Sequence, residues 1–448
     1  MNREASTRVI SRENEITSPS LPVNSRFIMR REFFGALIYD SEVCDYIPFD
    51  KEAEEIFLQL NTTPWDALVE KWGNRFSPHY LSTFIKLCQN SGIVDSRYRF
   101  TPYILPNTQK SGYLSAPIKI HLQLTKACSL NCIYCFSNSG TPSVDELTTE
   151  EIFKLIDDMS EIGCYYLSLG GGEPLLREDL SSIIRYANQK KIAVSLSTNA
   201  TVITTKMIEE LKEVKLRKLK ISFPGASQKS YEFLRNKNAY KRAIKGIALL
   251  KEHLSTPIFL HSIISKYNIS ELPSLVRLAE SLEVGTVRFD FMLPVGRAFF
   301  LRDAMLSPQE ALGIRRMAMK LQEHTSIRLL FPSIPFKTKR RGLYKGFGCI
   351  GGTEVCFINS QGFLYPCGFL EGKLPAFNIK KNSIKTLWIE DPSLRLMRNL
   401  IGNLQCKECE YLSTCRGGCR ARALFTLSNL NLPDIYCPYY YKISEVDR

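Results

Sequence analysis

Fourteen cysteines punctuate this 448-residue chain, and they are unevenly spread. Cys128, Cys132 and Cys135 form a C-x3-C-x2-C group, eight more begin at Cys349, and Cys44, Cys88 and Cys164 stand apart. Three thiolates in one loop can hold three irons of a four-iron cubane and leave the fourth iron without a protein ligand. An open coordination position is what a catalytic metal centre needs. The plainer alternatives are a zinc site or buried core cysteines. A closed zinc site takes four ligands, and no cysteine or histidine follows Cys135 nearby to supply the last one. The N-terminus lacks the apolar core of a signal peptide, and no run approaches the roughly 18 apolar residues of a membrane span. The expected location is therefore cytoplasmic, with no membrane partner, and the cysteines read as metal or redox ligands rather than disulfides.

The elements that must position this loop are legible in the hydrophobic pattern. Strands are expected at Ile118 to Leu124, Tyr165 to Leu169, Ala193 to Ser197, Lys218 to Phe223, Ile258 to Ile264 and Val287 to Leu293. Helical patterns fall between and after them, near Thr149 to Ile162, Leu180 to Gln189, Lys206 to Val214, Tyr240 to Glu252, Ser270 to Leu282 and Pro308 to Glu323. Such alternation implies an α/β fold, a parallel sheet or barrel. Chemistry in these folds gathers at the C-terminal strand ends, where the first cysteine group lies.

The segment Lys126-Ala127-Cys128-Ser129-Leu130-Asn131-Cys132-Ile133-Tyr134-Cys135-Phe136 resembles the cluster-binding loop of the radical S-adenosylmethionine (SAM) superfamily, including the aromatic Tyr134 before the third cysteine. Gly171-Gly172-Glu173-Pro174, at the second strand end, resembles the segment that contacts the SAM amino group in that family. The resemblance further implies SAM contacts at Ser197 and Asn199 of Ser197-Thr198-Asn199, and at Ser222. Pro224 stands where many relatives carry aspartate. Val295-Gly296-Arg297 is similar to a late glycine-arginine segment of relatives, in which Arg297 either meets a cofactor carboxylate or is a solvated charge. The fold implied is a partial (β/α)6 radical SAM barrel over residues 115–330.

Residues 331–448 resemble the SPASM domain appended to such enzymes. Cys349-x6-Cys356-x10-Cys367 is followed by Cys406-x2-Cys409-x5-Cys415-x3-Cys419 and by Cys437, with Gly362 five residues before Cys367. By the family's topology, Cys349, Cys356, Cys367 and Cys419 would hold one auxiliary cluster, and Cys406, Cys409, Cys415 and Cys437 a second. With the SAM cluster that makes three [4Fe-4S] clusters. Two zinc sites would use the same ligand count. Cys44, Cys88 and Cys164 read as buried small hydrophobes.

Residues 1–25 are polar and read as a disordered tail. Residues 26–110 resemble a winged-helix, PqqD-like recognition element of enzymes that modify ribosomally made peptides (RiPPs). The pattern is a hairpin from Phe27, then helices Lys51 to Leu60, Pro64 to Trp72 and Pro78 to Ser91. In that family a precursor's leader adds a strand to the module's edge. The formal net charge is +14, yet residues 26–110 hold 10 Lys and Arg against 11 Asp and Glu, so a nucleic-acid-reading winged helix is disfavoured.

Together these resemblances imply reductive SAM cleavage to a 5'-deoxyadenosyl radical that abstracts hydrogen from a precursor peptide. The products implied are a carbon-carbon or thioether crosslink or another radical rearrangement. The electron is expected from an external flavodoxin- or ferredoxin-type reductant. The alternatives are an enzyme like the anaerobic sulfatase maturases or the haem-pathway radical SAM enzymes, or a non-catalytic peptide-binding protein.

Overall fold

The computed structural model describes residues 25–108, 112–331 and 348–441. The tail expected over residues 1–25 lies outside them except for Ser25, and so do the first residues expected for the C-terminal domain, apart from Phe331.

The N-terminal unit opens with the meander β1 (Phe27–Glu32), β2 (Gly35–Asp40) and β3 (Asp45–Asp50), antiparallel and in tight register. Gly35 turns the chain with φ of +139°, and a Cβ there would lie 2.3 Å from the Asp50 carbonyl carbon, so only glycine fits. Three helices follow: α1 (Lys51–Leu60), α2 (Trp65–Trp72) and α3 (Pro78–Ser91). Asp50 caps α1 through Ala53 N–H, Ser77 caps α3 ahead of Pro78, and Gly92 ends α3 in the left-handed region. A strand not expected from sequence, β4 (Tyr103–Thr108), returns parallel to β1 and gives the order β3-β2-β1-β4.

Both faces of this sheet are covered. Phe27, Met29, Ala36 and Ile38 pack on Ile56, Phe57, Leu81 and Ile85 of the unit's own helices. Ile28, Leu37, Tyr39, Tyr46 and Leu105 belong instead to the main core of the barrel. Tyr39 stacks on Tyr165 at 4.5 Å, Tyr46 Oη donates to Gly163 O (2.9 Å) and accepts from Tyr165 N–H (2.7 Å), and Arg30 Nη1 donates to the Gly163 carbonyl (2.9 Å).

The centre is a parallel sheet of β5 (Lys119–Gln123), β6 (Tyr166–Gly170), β7 (Ala193–Thr198), β8 (Leu216–Ser222), β9 (Ile258–Ile264) and β10 (Thr286–Phe291), neighbours in chain order. Its helices are α4 (Thr149–Glu161), α5 (Leu180–Gln189), α6 (Thr205–Lys212), α7 (Gln228–Leu234), α8 (Ala239–His253), α9 (Leu272–Ser281) and α10 (Pro308–Glu323). α4 starts in a full capping box, Thr148 with Glu151. α7 escaped the sequence reading because it is short and follows directly on a turn. Along the strands, Ile120, Leu122, Leu167, Leu169, Val194, Leu196, Leu219 and Ile221 are buried in one core with Ile152, Ile156, Ile183 and Ile247 of the helices. The alternate residues are half-exposed.

The sheet extends beyond the expected six strands. β11 (Arg328–Leu330) pairs with β10, and the hairpin β12 (Val355–Ile358) and β13 (Leu364–Tyr365) from the C-terminal domain joins β5, giving β11-β10-β9-β8-β7-β6-β5-β12-β13. The helices α11 (Ile384–Glu390), α12 (Pro392–Asn399), α13 (Leu412–Cys415) and α14 (Arg420–Leu427) complete that domain. Trp388 is fully buried, and its Nε1–H donates to Leu114 O at 2.7 Å, tying this domain to the entry of the barrel.

Replacing Tyr46 by Phe leaves the buried Tyr165 N–H without its partner and the Gly163 carbonyl with Arg30 alone. A loss of about 1–3 kcal/mol is expected in chemical denaturation. A loss below about 0.5 kcal/mol would mean that the joint is solvated rather than packed.

Candidate functional site

The loop bearing Cys128, Cys132 and Cys135 leaves β5 at the C-terminal edge of the barrel and has almost no regular structure of its own. It is positioned by backbone bonds to neighbouring strand ends. Cys128 N–H donates to Gly140 O (2.9 Å) and Gly140 N–H to Lys126 O (2.8 Å), closing the loop on itself. Gly172 N–H donates to Thr125 O and Glu173 N–H to Ala127 O, both at 2.8 Å. A Cβ on Gly172 would sit 2.1 Å from the Ala127 carbonyl oxygen, so this approach requires glycine.

Glu173 is completely buried. Its carboxylate accepts from Thr198 Oγ1 (2.7 Å), Asn199 N–H (2.8 Å) and Leu175 N–H (3.2 Å), which fastens the end of β6 to the end of β7. Burial pushes its pKa up, and the bonds from Asn199 and Thr198 oppose that rise. Of about four acceptor positions on a carboxylate, these donors leave about one for an incoming ammonium. Asn199 Nδ2 points at Cys128 Sγ (3.9 Å) and Ser129 Oγ (3.5 Å). Ser197 and Ser222 are half-exposed at their strand ends, and Pro174 is buried in the turn that follows Gly171-Gly172-Glu173.

Arg297 is turned onto the cysteine loop rather than left as a solvated charge. Its Nε donates to Cys132 O (2.7 Å), its Nη1 to Ser139 O (2.8 Å) and its backbone N–H to Cys135 O (2.9 Å), so it braces the cysteine loop from the end of β10.

Sequence reasoning missed Arg235, because it ends a short helix that had no periodic signal. This buried guanidinium donates through Nη1 to Tyr231 Oη (3.0 Å), through Nη2 to Ser222 O (2.9 Å) and through Nε to Tyr134 Oη (3.3 Å). Among the described residues no carboxylate pairs with it; Cys132 lies within its electrostatic reach. Burial pushes the Cys132 thiol up, and Arg235 and Arg297 pull it back toward thiolate. Burial likewise pushes the Cys128 thiol up to about 11, with Glu173, Cys132 and Cys135 adding to the rise. Coordination to a metal deprotonates such thiols outright.

Beyond Cys349 the cysteines fall into two sets. Cys406, Cys409, Cys415 and Cys437 line a cavity of about 260 Å³ with Leu412, Tyr411, Tyr439 and Tyr440. Cys349, Cys367 and Cys419 interact electrostatically with one another, and burial raises the Cys367 and Cys419 thiols, with Arg422 opposing the rise at Cys419. Asp434 accepts from Cys419 N–H (2.7 Å) and is paired with Arg422 (2.6 Å), fixing that cysteine. Arg420 is buried, lines a pocket with Cys349 and acts electrostatically on Cys406, and among the described residues its Nη2 has no hydrogen-bond partner. An uncompensated cation beside clustered thiols fits a site built for anionic sulfide and thiolate. Among the described residues no three His, Cys, Asp or Glu side chains converge as ligands of a single ion do.

Cys356 corrects the expected ligand set. It lies fully buried in β12, in register with Ile120 of β5, and its electrostatic neighbours are Cys164, Arg398 and Asp391. The strand that carries it completes the barrel sheet and so holds it in the hydrophobic core, away from Cys349, Cys367 and Cys419. That set contains three thiols. Cys88 and Cys164 are buried as expected, while Cys44 is only half-buried.

Residues 122–279 match the radical SAM superfamily, and residues 349–419 match the SPASM iron-sulfur cluster-binding domain. The AdoMet-dependent heme synthase of Methanosarcina barkeri is 31% identical over 348 residues, covering 72% of this chain and 97% of that protein. The chain belongs to the radical SAM superfamily. It is a radical SAM enzyme with a SPASM domain. Mycofactocin maturase MftC of Mycolicibacterium smegmatis is 28% identical over 330 residues, 72% of this chain and 83% of that one. Among solved structures, Streptococcus suis SuiB bound to precursor peptide SuiA superposes with a TM-score of 0.71 at 16% identity, covering 92% of this chain and 98% of SuiB. The radical SAM fold therefore extends here with the SuiB-like arrangement over nearly the whole chain, whereas the two sequence relatives leave more than a quarter of it unmatched.

Iron analysis separates the cysteine roles. Cys356→Ala should retain the iron content of the parent, while Cys367→Ala should lose about four irons per chain. Loss of iron on replacing Cys356 would contradict its place in the core.

Proposed function

We infer that this enzyme modifies a ribosomally made precursor peptide by hydrogen abstraction. The observation that carries this reading is the N-terminal sheet. Its two faces are covered by its own helices and by the barrel, and β3 pairs only with β2, so among the described residues its outer edge is a free strand template. An extended leader fits there by strand addition, as in PqqD-like recognition elements. SuiB, solved with its precursor peptide, is matched over 92% of this chain.

Cys128, Cys132 and Cys135 would hold the SAM cluster and leave one iron open. Gly171, Gly172, Glu173, Pro174, Ser197, Asn199 and Ser222 would cradle SAM, and the unpaired cation of Arg235 offers its carboxylate a partner. Cys406, Cys409, Cys415 and Cys437 would hold a closed auxiliary cluster, with a further cluster at Cys349, Cys367 and Cys419. When bound, SAM and its cluster supply a one-electron cleavage that yields a carbon radical strong enough to take hydrogen from an unactivated position. The protein's part is to fix the loop, exclude water behind buried Glu173 and present the peptide. An external flavodoxin- or ferredoxin-type protein would deliver the electron, and the bond made in the peptide is a crosslink or another rearrangement.

A haem-pathway reaction is the second reading, favoured by the 31% identity to the heme synthase. It gives no use for the N-terminal sheet. A sulfatase-maturase role is disfavoured at Gly368, which replaces the aspartate base of that class; even a Cβ there would crowd the Phe136 ring at 3.1 Å.

Co-expression with a short open reading frame neighbouring the gene tests the reading. The peptide should change mass, and Cys128→Ala should abolish the change. Hydrogen exchange should slow at Asp45–Asp50 when the peptide is added. A modified peptide with no protection on β3 would overturn leader docking there, and an unchanged peptide with a modified tetrapyrrole would favour the haem reading.

A further inference from the structure

The strands of the barrel alternate buried with half-exposed residues, seen most clearly in β8 and β9. The buried set packs on the helices, so the half-exposed set lines the concave face. Cross-strand register identifies its members: Lys119 beside Tyr166, His121 beside Ser168, Ser195 beside Lys218, Ser197 beside Lys220, Ser222 beside His261, and His261 beside Arg288. Asp290, two residues after Arg288, shares that face.

This lumen is heavily cationic. Lys119, Lys218, Lys220 and Arg288 stand there with His121 and His261; among the described residues of these strands Asp290 is the carboxylate on that face, and Asp45 reaches its lower end through the Tyr166 hydroxyl (2.6 Å). The Asp290 carboxylate is already engaged, by Arg288 Nε (2.7 Å) and Nη2 (3.0 Å) and by His261 Nε2 (2.8 Å). Among the described residues no carboxylate forms an ion pair with Lys119, Lys218 or Lys220. Burial and mutual repulsion hold Lys119 and Lys220 down to about 8, and the same causes hold the His121 ring well below its ordinary value. Cations gathered on a half-exposed face whose counter-charge is already engaged are stabilised by an anion entering among them. The place is also set: Lys220 is in register with Ser197, and Lys218 lies two residues, about 7 Å, deeper along the same strand.

We propose that the barrel lumen is a carboxylate well for the peptide substrate, in which Asp or Glu side chains are received by Lys220, beneath the cofactor site, and by Lys218 and Lys119 deeper along the strands. The proposal deepens the peptide-modifying reading and rests on it. It assigns the substrate an acidic stretch near the residue that loses hydrogen.

Fluorescently labelled hexaglutamate and hexaglutamine, titrated at low salt into the reconstituted full-length enzyme, test it by anisotropy. Hexaglutamate should bind and hexaglutamine should not. Lys220→Gln and Lys119→Gln should each weaken binding about tenfold with unchanged iron content, and Lys220→Arg should restore it. Binding should also weaken between about pH 7 and pH 9, as the lysines facing Tyr166, His121, His261, Arg288 and Asp290 lose their protons. Equal binding of hexaglutamate by the parent and both glutamine variants overturns the well. So does a Lys220→Gln variant that loses affinity for SAM but keeps hexaglutamate, since the lysine then serves the cofactor. A porphyrin carboxylate bound through these lysines in place of hexaglutamate overturns the peptide as source and, with it, the peptide reading, while a carboxylate well remains.

Discussion

An irregular loop must be held at fixed distance from three strand ends, and the rest of the site depends on that constraint. The loop between β5 and α4 carries three cysteines but makes little secondary structure, so its shape is set from outside. Gly172 and Glu173 bind its carbonyls from β6, and Arg297 binds three more from the end of β10. Glu173 in turn holds β7 through Thr198 and Asn199, and Asn199 reaches back to Cys128. The glycines matter because backbone meets backbone; a single added carbon at Gly172 would overlap Ala127. A buried carboxylate that joins two strands and a loop is costly to desolvate, and its three donors offset that cost.

The charge distribution follows from the same architecture. The +14 excess of the whole chain is absent from the N-terminal unit, where acids and bases balance. Inside the barrel and around the cysteines, arginines and lysines stand without an acidic ion-pair partner among the described residues: Arg235 beside Cys132, Arg420 beside the auxiliary cysteines, and the lysines of the concave face. Unpaired buried cations are destabilising in the empty protein. Their concentration at the places where anionic clusters, a cofactor carboxylate and a substrate would sit ties stability to occupancy.

Much of this was legible in the residues. Strong periodicity located the β9 strand and helices α1, α3, α5 and α10 to the residue, and the cysteine spacing with Gly171-Gly172-Glu173-Pro174 pointed to the segments that follow β5 and β6. What escaped depends on tertiary pairing. Spacing alone made Cys356 look like a ligand, but β12 pairs with β5, more than two hundred residues earlier, and sheet register buries it. Arg297 looked equally able to bind a carboxylate or solvent; only packing shows its Nε and Nη1 turned onto loop carbonyls. Arg235 and β4 lack local signals altogether, and the cationic lumen emerges only when strand register places residues from four strands on one face.

The most direct measurement follows hydrogen itself. A precursor peptide deuterated at its modified residue is incubated with the reconstituted, reduced enzyme and SAM, and the 5'-deoxyadenosine formed is analysed by mass spectrometry. Radical abstraction from the peptide predicts deuterium in the deoxyadenosine, in step with peptide product. Modified peptide accompanied by unlabelled deoxyadenosine, or by none, would contradict it.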